Sequence, residues 1–176
     1  MDTPGRAAAS PDLPEGIAAV IEALGMAADR TERIQMLLDL GQRFTEVPAD
    51  VATRPFPEDR RVPACESEAF VWARPRADGT LDFYFAVENP QGVSARALAA
   101  VLQAGASGAP LEQVAALDAS LAYRIFGNEL SMGKSMGLGG MVAMVRQYAQ
   151  QALGRPAAPS EPDPSADGPP RPPRCE

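Results

Sequence analysis

The stretch Leu81-Asp82-Phe83-Tyr84-Phe85-Ala86-Val87-Glu88 constrains this chain most. In an extended backbone successive side chains point to opposite faces, so Leu81, Phe83, Phe85 and Val87 share one of them. A second β-prone run, Ala69-Phe70-Val71-Trp72-Ala73, precedes it, and Pro75-Arg76-Ala77-Asp78-Gly79 supplies turn chemistry between the two. The pair predicts an antiparallel hairpin with one buried face. An isolated hairpin is marginal in water. Other elements must cover it, and the remaining periodic segments all read as helix.

Upstream, Ile17, Val20, Ile21 and Leu24 recur at helical spacing after Leu13-Pro14-Glu15, and Gly25 loosens the end. Asp29 or Thr31 can cap a second helix with Ile34, Leu37, Leu38 and Phe44 on its apolar side, ending near Leu40-Gly41. These two are expected to pair antiparallel. Residues 45–64 carry Pro48, Pro55, Pro57 and Pro63 and should run irregularly to Cys65. Downstream, Ser94 is placed to cap a helix containing Ala97, Leu98, Val101 and Leu102. Two short helices are expected from Pro110 and over 118–126, and a last one after Leu138 to about Leu153. Met141, Val142, Met144, Val145 and Tyr148 are its apolar positions, with Met132 left open. The predicted fold class is α/β of the α+β type: one domain over residues 13–153, a small antiparallel sheet packed by helices. Residues 1–12 and the Pro-rich 154–176 are expected to be disordered.

Charge and composition narrow the chemistry. The formal net charge of −7 argues against nucleic acid and against an anionic membrane surface, both of which call for clustered Lys and Arg. No apolar run reaches transmembrane length, and the start lacks a secretory apolar region, which predicts a cytoplasmic protein. The 176 residues contain no histidine, which removes His-based acid–base catalysis, Ser-His and Cys-His nucleophiles and mixed Cys/His zinc sites. With two cysteines, an all-cysteine zinc site is also excluded.

Few motifs carry chemistry. Gly133-Lys134-Ser135 imitates the end of a P-loop, but Gly127 and Gly133 are separated by five residues, not four, and a helical stretch precedes them. The tail run Pro169-Pro170-Arg171-Pro172-Pro173-Arg174 fits a polyproline ligand or a solvated end, with Cys175 incidental. Cys65 sits on a Pro-containing lead-in before the first strand, between Arg60 and Arg61 on one side and Glu66 and Glu68 on the other. Local sequence leaves it open between a buried small hydrophobe and a reactive thiol.

Three stretches taken together resemble the SufE family of sulfur acceptors for cysteine desulfurases. They are Leu37-Leu38-Asp39-Leu40-Gly41, Val62-Pro63-Ala64-Cys65-Glu66-Ser67 with a Trp-bearing strand after it, and Leu130-Ser131-Met132-Gly133-Lys134-Ser135-Met136-Gly137-Leu138. Order and spacing fit over about residues 13 to 153. The resemblance implies that Cys65 takes sulfane sulfur from a PLP-dependent cysteine desulfurase, stimulates it, and relays the sulfur to iron–sulfur scaffold proteins. The hard chemistry then belongs to the desulfurase and its cofactor, and this chain needs neither cofactor nor metal of its own. The resemblance implies a sulfur-transfer partner rather than a stand-alone enzyme. Arg61, Glu66 and Lys134 are the charged residues expected to meet the partner. Five positions depart from the family pattern: Ala64 stands for a glycine, Glu66 and Glu68 for neutral residues, Lys134 for an arginine, and Trp72 falls two residues late. At Ala64 a left-handed or tightly folded loop would be strained. The alternative from another class is an adaptor of the same fold that docks an enzyme without relaying sulfur.

Overall fold

The computed structural model describes residues 12–127 and 130–154. Among them the order is α1 (Glu15–Gly25), α2 (Arg30–Gln42), a 3-10 turn (Glu58–Arg60), β1 (Ala69–Pro75), β2 (Leu81–Val87), α3 (Val93–Ala106), α4 (Leu111–Ala115), α5 (Ser120–Phe126) and α6 (Met132–Leu153). This is an α+β fold. The expected ends, with Cys175 and the Pro-Arg run, lie almost wholly outside the described residues. No helix among those residues is long and apolar enough to cross a membrane.

The hairpin forms with Ala69 opposite Val87 and Pro75 opposite Leu81. Its turn is fixed by Asp78, whose Oδ1 accepts from the Thr80 hydroxyl at 2.6 Å and backbone N–H at 3.0 Å, and by Gly79 at φ +84°. Leu81, Phe83, Phe85 and Val87 are all buried, against a core that includes Leu98, Val101 and Leu102 of α3. Each such side chain contributes roughly 1.5–3 kcal/mol of burial. The other face is buried too. Phe70, Trp72 and Ala86 form a second cluster with Val47, and Phe56 of the irregular segment stacks edge-on to Trp72 at 5.0 Å. Residues 45–64 thus wrap the hairpin. They also cover parts of both its edges: Val47 N–H donates to Phe85 O and Val62 N–H to Ala69 O, each at 2.8 Å. Arg54 holds the wrap closed by pairing with Glu46 and Glu88 and lying 4.7 Å over the Phe56 ring.

The helices differ from expectation in three places. First, α1 and α2 both pack on α3 rather than mainly on each other. The reason is the small-residue surface of α3: Gly105 comes so close to α1 that a Cβ there would lie 2.6 Å from Ile17 Cγ1. Consequently α2 has no fully buried residue, although Asp29 caps it as expected, accepting from Glu32 N–H at 2.9 Å. Second, α6 begins at Met132, not after Leu138, because the Ser131 hydroxyl accepts from Lys134 N–H and its carbonyl from Ser135 N–H. Within α6, Met141, Val142 and Val145 are buried, Met144 and Tyr148 partly buried, and Met132 and Met136 exposed. The start of α3 also moves: Gly92 caps it instead of Ser94.

Arg33, which the sequence reading passed over, ties three elements together. Its guanidinium donates to Leu24 O at the end of α1 (2.7 Å) and to Ile125 O (2.7 Å) and Arg124 O (3.3 Å) at the end of α5. One cation thereby satisfies carbonyls left over at two helix C-termini.

Candidate functional site around Cys65

Cys65 lies in a tight loop between the Arg61–Phe70 bridge and the start of β1. Val62 N–H pairs with Ala69 O, and inside that closure Glu68 N–H donates to Cys65 O at 3.1 Å. A turn this short needs left-handed residues, and it places Ala64 at φ +54° and Glu68 at φ +48°. Neither is glycine, so both carry backbone strain of order 1 kcal/mol or more. The strain anticipated at Ala64 is present.

The loop rests on α6 along one row of glycines. A Cβ at Gly137 would lie 2.9 Å from Cys65 Cα and 3.2 Å from Ala64 O; one at Gly140 would lie 3.1 Å from Pro63 O. At Gly133 the nearest atom would be Glu66 Oε1 at 3.0 Å. Glu66 therefore sets its carboxylate over the first turn of α6, where the helix dipole favours negative charge. The spacing 133, 137, 140 is one helical face and was visible in the sequence as a Gly-rich stretch. Only the packing shows that its purpose is to let the loop's backbone approach. Tyr148, three turns on, adds a clamp: its hydroxyl donates to Val71 O at 3.1 Å and accepts from Arg60 at 2.9 Å.

The two arginines before Cys65 are thus engaged elsewhere. Arg60 reaches Tyr148 and Asp59, and Arg61 lies 3.3 Å from both Glu58 and Glu68. Cys65 itself is 9% exposed. It lines two cavities. The first, about 560 Å³, is bordered by Glu58, Arg61, Val62, Pro63, Ala64 and Glu66. The second, about 390 Å³, runs between the start of α3 and the start of α6 and includes Ser67, Asn89, Val93, Ser94, Lys134 and Gly137. Lys134, distant in sequence, is therefore brought to the cavities around the Cys65 thiol together with its sequence neighbours Arg61 and Glu66. Lys134 is exposed, forms no ion pair with another described residue, and is the only lysine of the chain. Missing from the sequence reading were the α3 start and the Gly137–Gly140 seat. Among the described residues no group of His, Cys, Asp or Glu could hold a metal ion.

Chemically, this is an α+β domain that holds one thiol in a closed loop between two cavities. The chain belongs to the SufE family: the model of the Fe-S metabolism associated domain matches residues 18–149. Its role accordingly lies in iron–sulfur metabolism. The solution structure of a hypothetical protein from Thermus thermophilus shares the fold, with TM-score 0.62 and 22% identity over 81% of this chain and 98% of that one. Comparison with curated proteins finds no match.

Proposed function

We propose that this protein accepts sulfane sulfur on Cys65 from a PLP-dependent cysteine desulfurase, stimulates that enzyme, and relays the sulfur to iron–sulfur scaffold proteins in the cytoplasm. The observation that carries the reading is the site of Cys65, a lone thiol in a strained loop with a cavity on each side. Family membership supplies the iron–sulfur context. The step is thiol–persulfide exchange. The Cys65 thiolate attacks the outer sulfur of the donor persulfide, the donor's S–S bond breaks, and the donor leaves as a thiolate. Cys65 then carries the persulfide, with no net oxidation. Such a transfer needs approach and alignment but no histidine, metal or cofactor from the acceptor. Arg61, Glu66 and Lys134 border the two cavities and are the contacts proposed for the partner.

The test is direct. The protein is mixed with a desulfurase and L-cysteine, persulfide is trapped by alkylation, and peptides are read by mass spectrometry. A gain of one sulfur on the Cys65 peptide, and loss of stimulation in Cys65→Ser, are the expected results. An unmodified Cys65, or undiminished stimulation by Cys65→Ser, sinks the relay. The second reading, docking without relay, is favoured by the burial of Cys65. It predicts stimulation that survives the serine substitution.

A further inference from the structure

Resting on the acceptor reading above, we infer that the donor enzyme docks in the apolar groove between α2 and the start of α3, next to the Lys134 side of the Cys65 cavity. The groove, about 140 Å³, is lined by Ile34, Leu37 and Leu38 of α2, Val93 and Ala97 of α3, and Leu130 among others. Val93 and Ser94 line both this groove and the cavity that holds Cys65 and Lys134. The two are one continuous surface.

Three observations favour a protein partner here. Ile34 and Leu38 are each 39% exposed and Val93 42%, on a helix pair where α2 contributes nothing fully buried to the core. Adjacent exposed apolar side chains mark contact surfaces. No residue lining the groove is charged, in a chain with 39 charged residues (16 basic and 23 acidic). Charge depletion is the signature of an interface centre. Finally, Cys65 is recessed, so a donor persulfide has to enter the cavity from a surface laid along one of its walls. Glu66 lines both cavities, but the first also carries Glu58 and Arg61, whereas the second carries Lys134 and meets the charge-free groove at Val93 and Ser94. The partner surface that fits is an apolar segment beside the donor persulfide, with a carboxylate placed to meet Lys134. Met132 and Met136, exposed on the same helix as Lys134, extend the contact with adaptable side chains. A second copy of this chain fits less well, since each brings a net charge of −7.

The test measures desulfurase-dependent loading of Cys65 against acceptor concentration, with the full chain and the double variant Ile34→Asp/Leu38→Asp. Loading by a small-molecule persulfide, and thermal unfolding, are run in parallel. The single variants serve if the double one is unstable. The half-saturating acceptor concentration should rise about tenfold or more, as when an interface centre is lost, with small-molecule loading and unfolding little changed. Equal half-saturation for wild type and variants, with both loaded, overturns the docking surface and leaves the relay standing. Failure of the enzyme to load wild-type Cys65 removes the relay and the docking surface together. Self-association of the wild type that Leu38→Asp abolishes assigns the groove to a second copy and also overturns the inference.

Discussion

Gly137 of α6 and Cys65 meet without a side chain between them: a Cβ at Gly137 would lie 2.9 Å from Cys65 Cα and 3.3 Å from its Cβ. The atoms it would strike are the Cα and Cβ of Cys65 and the backbone oxygen of Ala64, so none can swing aside. Gly137→Ala should therefore lift the loop off α6. An overpacked contact costs about 1–3 kcal/mol, against about 1 kcal/mol gained in helix propensity. Net destabilisation and faster labelling of Cys65 by a thiol reagent are expected. Gly139→Ala is the control, because its Cβ would only touch Ala119 at 3.4 Å. Thermal unfolding of the control should be unchanged or raised.

Ala64 offers the opposite change. At φ +54° it occupies a region that glycine enters freely. Ala64→Gly should stabilise the fold by about 1 kcal/mol if relief of strain exceeds the entropy added to the unfolded chain. A rise of a few degrees in Tm is the expected reading. An unchanged or lower Tm would mean that the loop does not hold that strain in solution.

Arg33 makes a stability prediction independent of the site. Arg33→Met removes the donor shared by Leu24 O, Arg124 O and Ile125 O. Hydrogen bonds to a charged group are worth about 1.5–3 kcal/mol, and a loss in that range is expected from urea unfolding. Arg33→Lys should recover only part of it, because an ammonium cannot fork to carbonyls on two helices.

Acid should unfasten two turns. The Asp118 carboxyl is held below the usual carboxylate range, first by the Ser120 hydroxyl and then by the Ser120 N–H; that of Asp78 is held down first by the Thr80 hydroxyl and then by its N–H. Both groups bind their proton more weakly in the folded state than in the unfolded one. Their contribution is thus complete above the unfolded carboxylate value, about pH 4, and is lost as pH falls through the lower folded value. Unfolding of wild type and Asp118→Ala should differ at neutral pH, and the gap should close below about pH 4. A gap that widens in acid would contradict the sign.

The hairpin was legible because a period of two over Leu81–Val87 admits one solution, and the same holds for the apolar positions 17, 20, 21 and 24 of α1. The position of Cys65 ahead of β1 and the order of the three family-like stretches were equally readable, since both are linear properties. The strain at Ala64 was anticipated from the family resemblance, which sets a glycine at that position, and φ +54° bears it out.

Tertiary structure decided what depends on approach between distant segments. Whether α1 pairs with α2 or with α3 is a question of which surface is flattest, and Gly105 answered it in favour of α3. The start of α6 was misplaced because glycines lower helix propensity, while the contacts at Gly137 and Gly140 that require them are long-range. The partners of Arg60 and Arg61 could not be read from their proximity to Cys65 along the chain; folding gave them to Tyr148, Asp59, Glu58 and Glu68. By itself the sequence determined that one thiol would stand before a hairpin. Only packing decided that it would be recessed between two cavities and seated on glycines, because burial and cavity shape are set by surfaces that meet only in the folded chain.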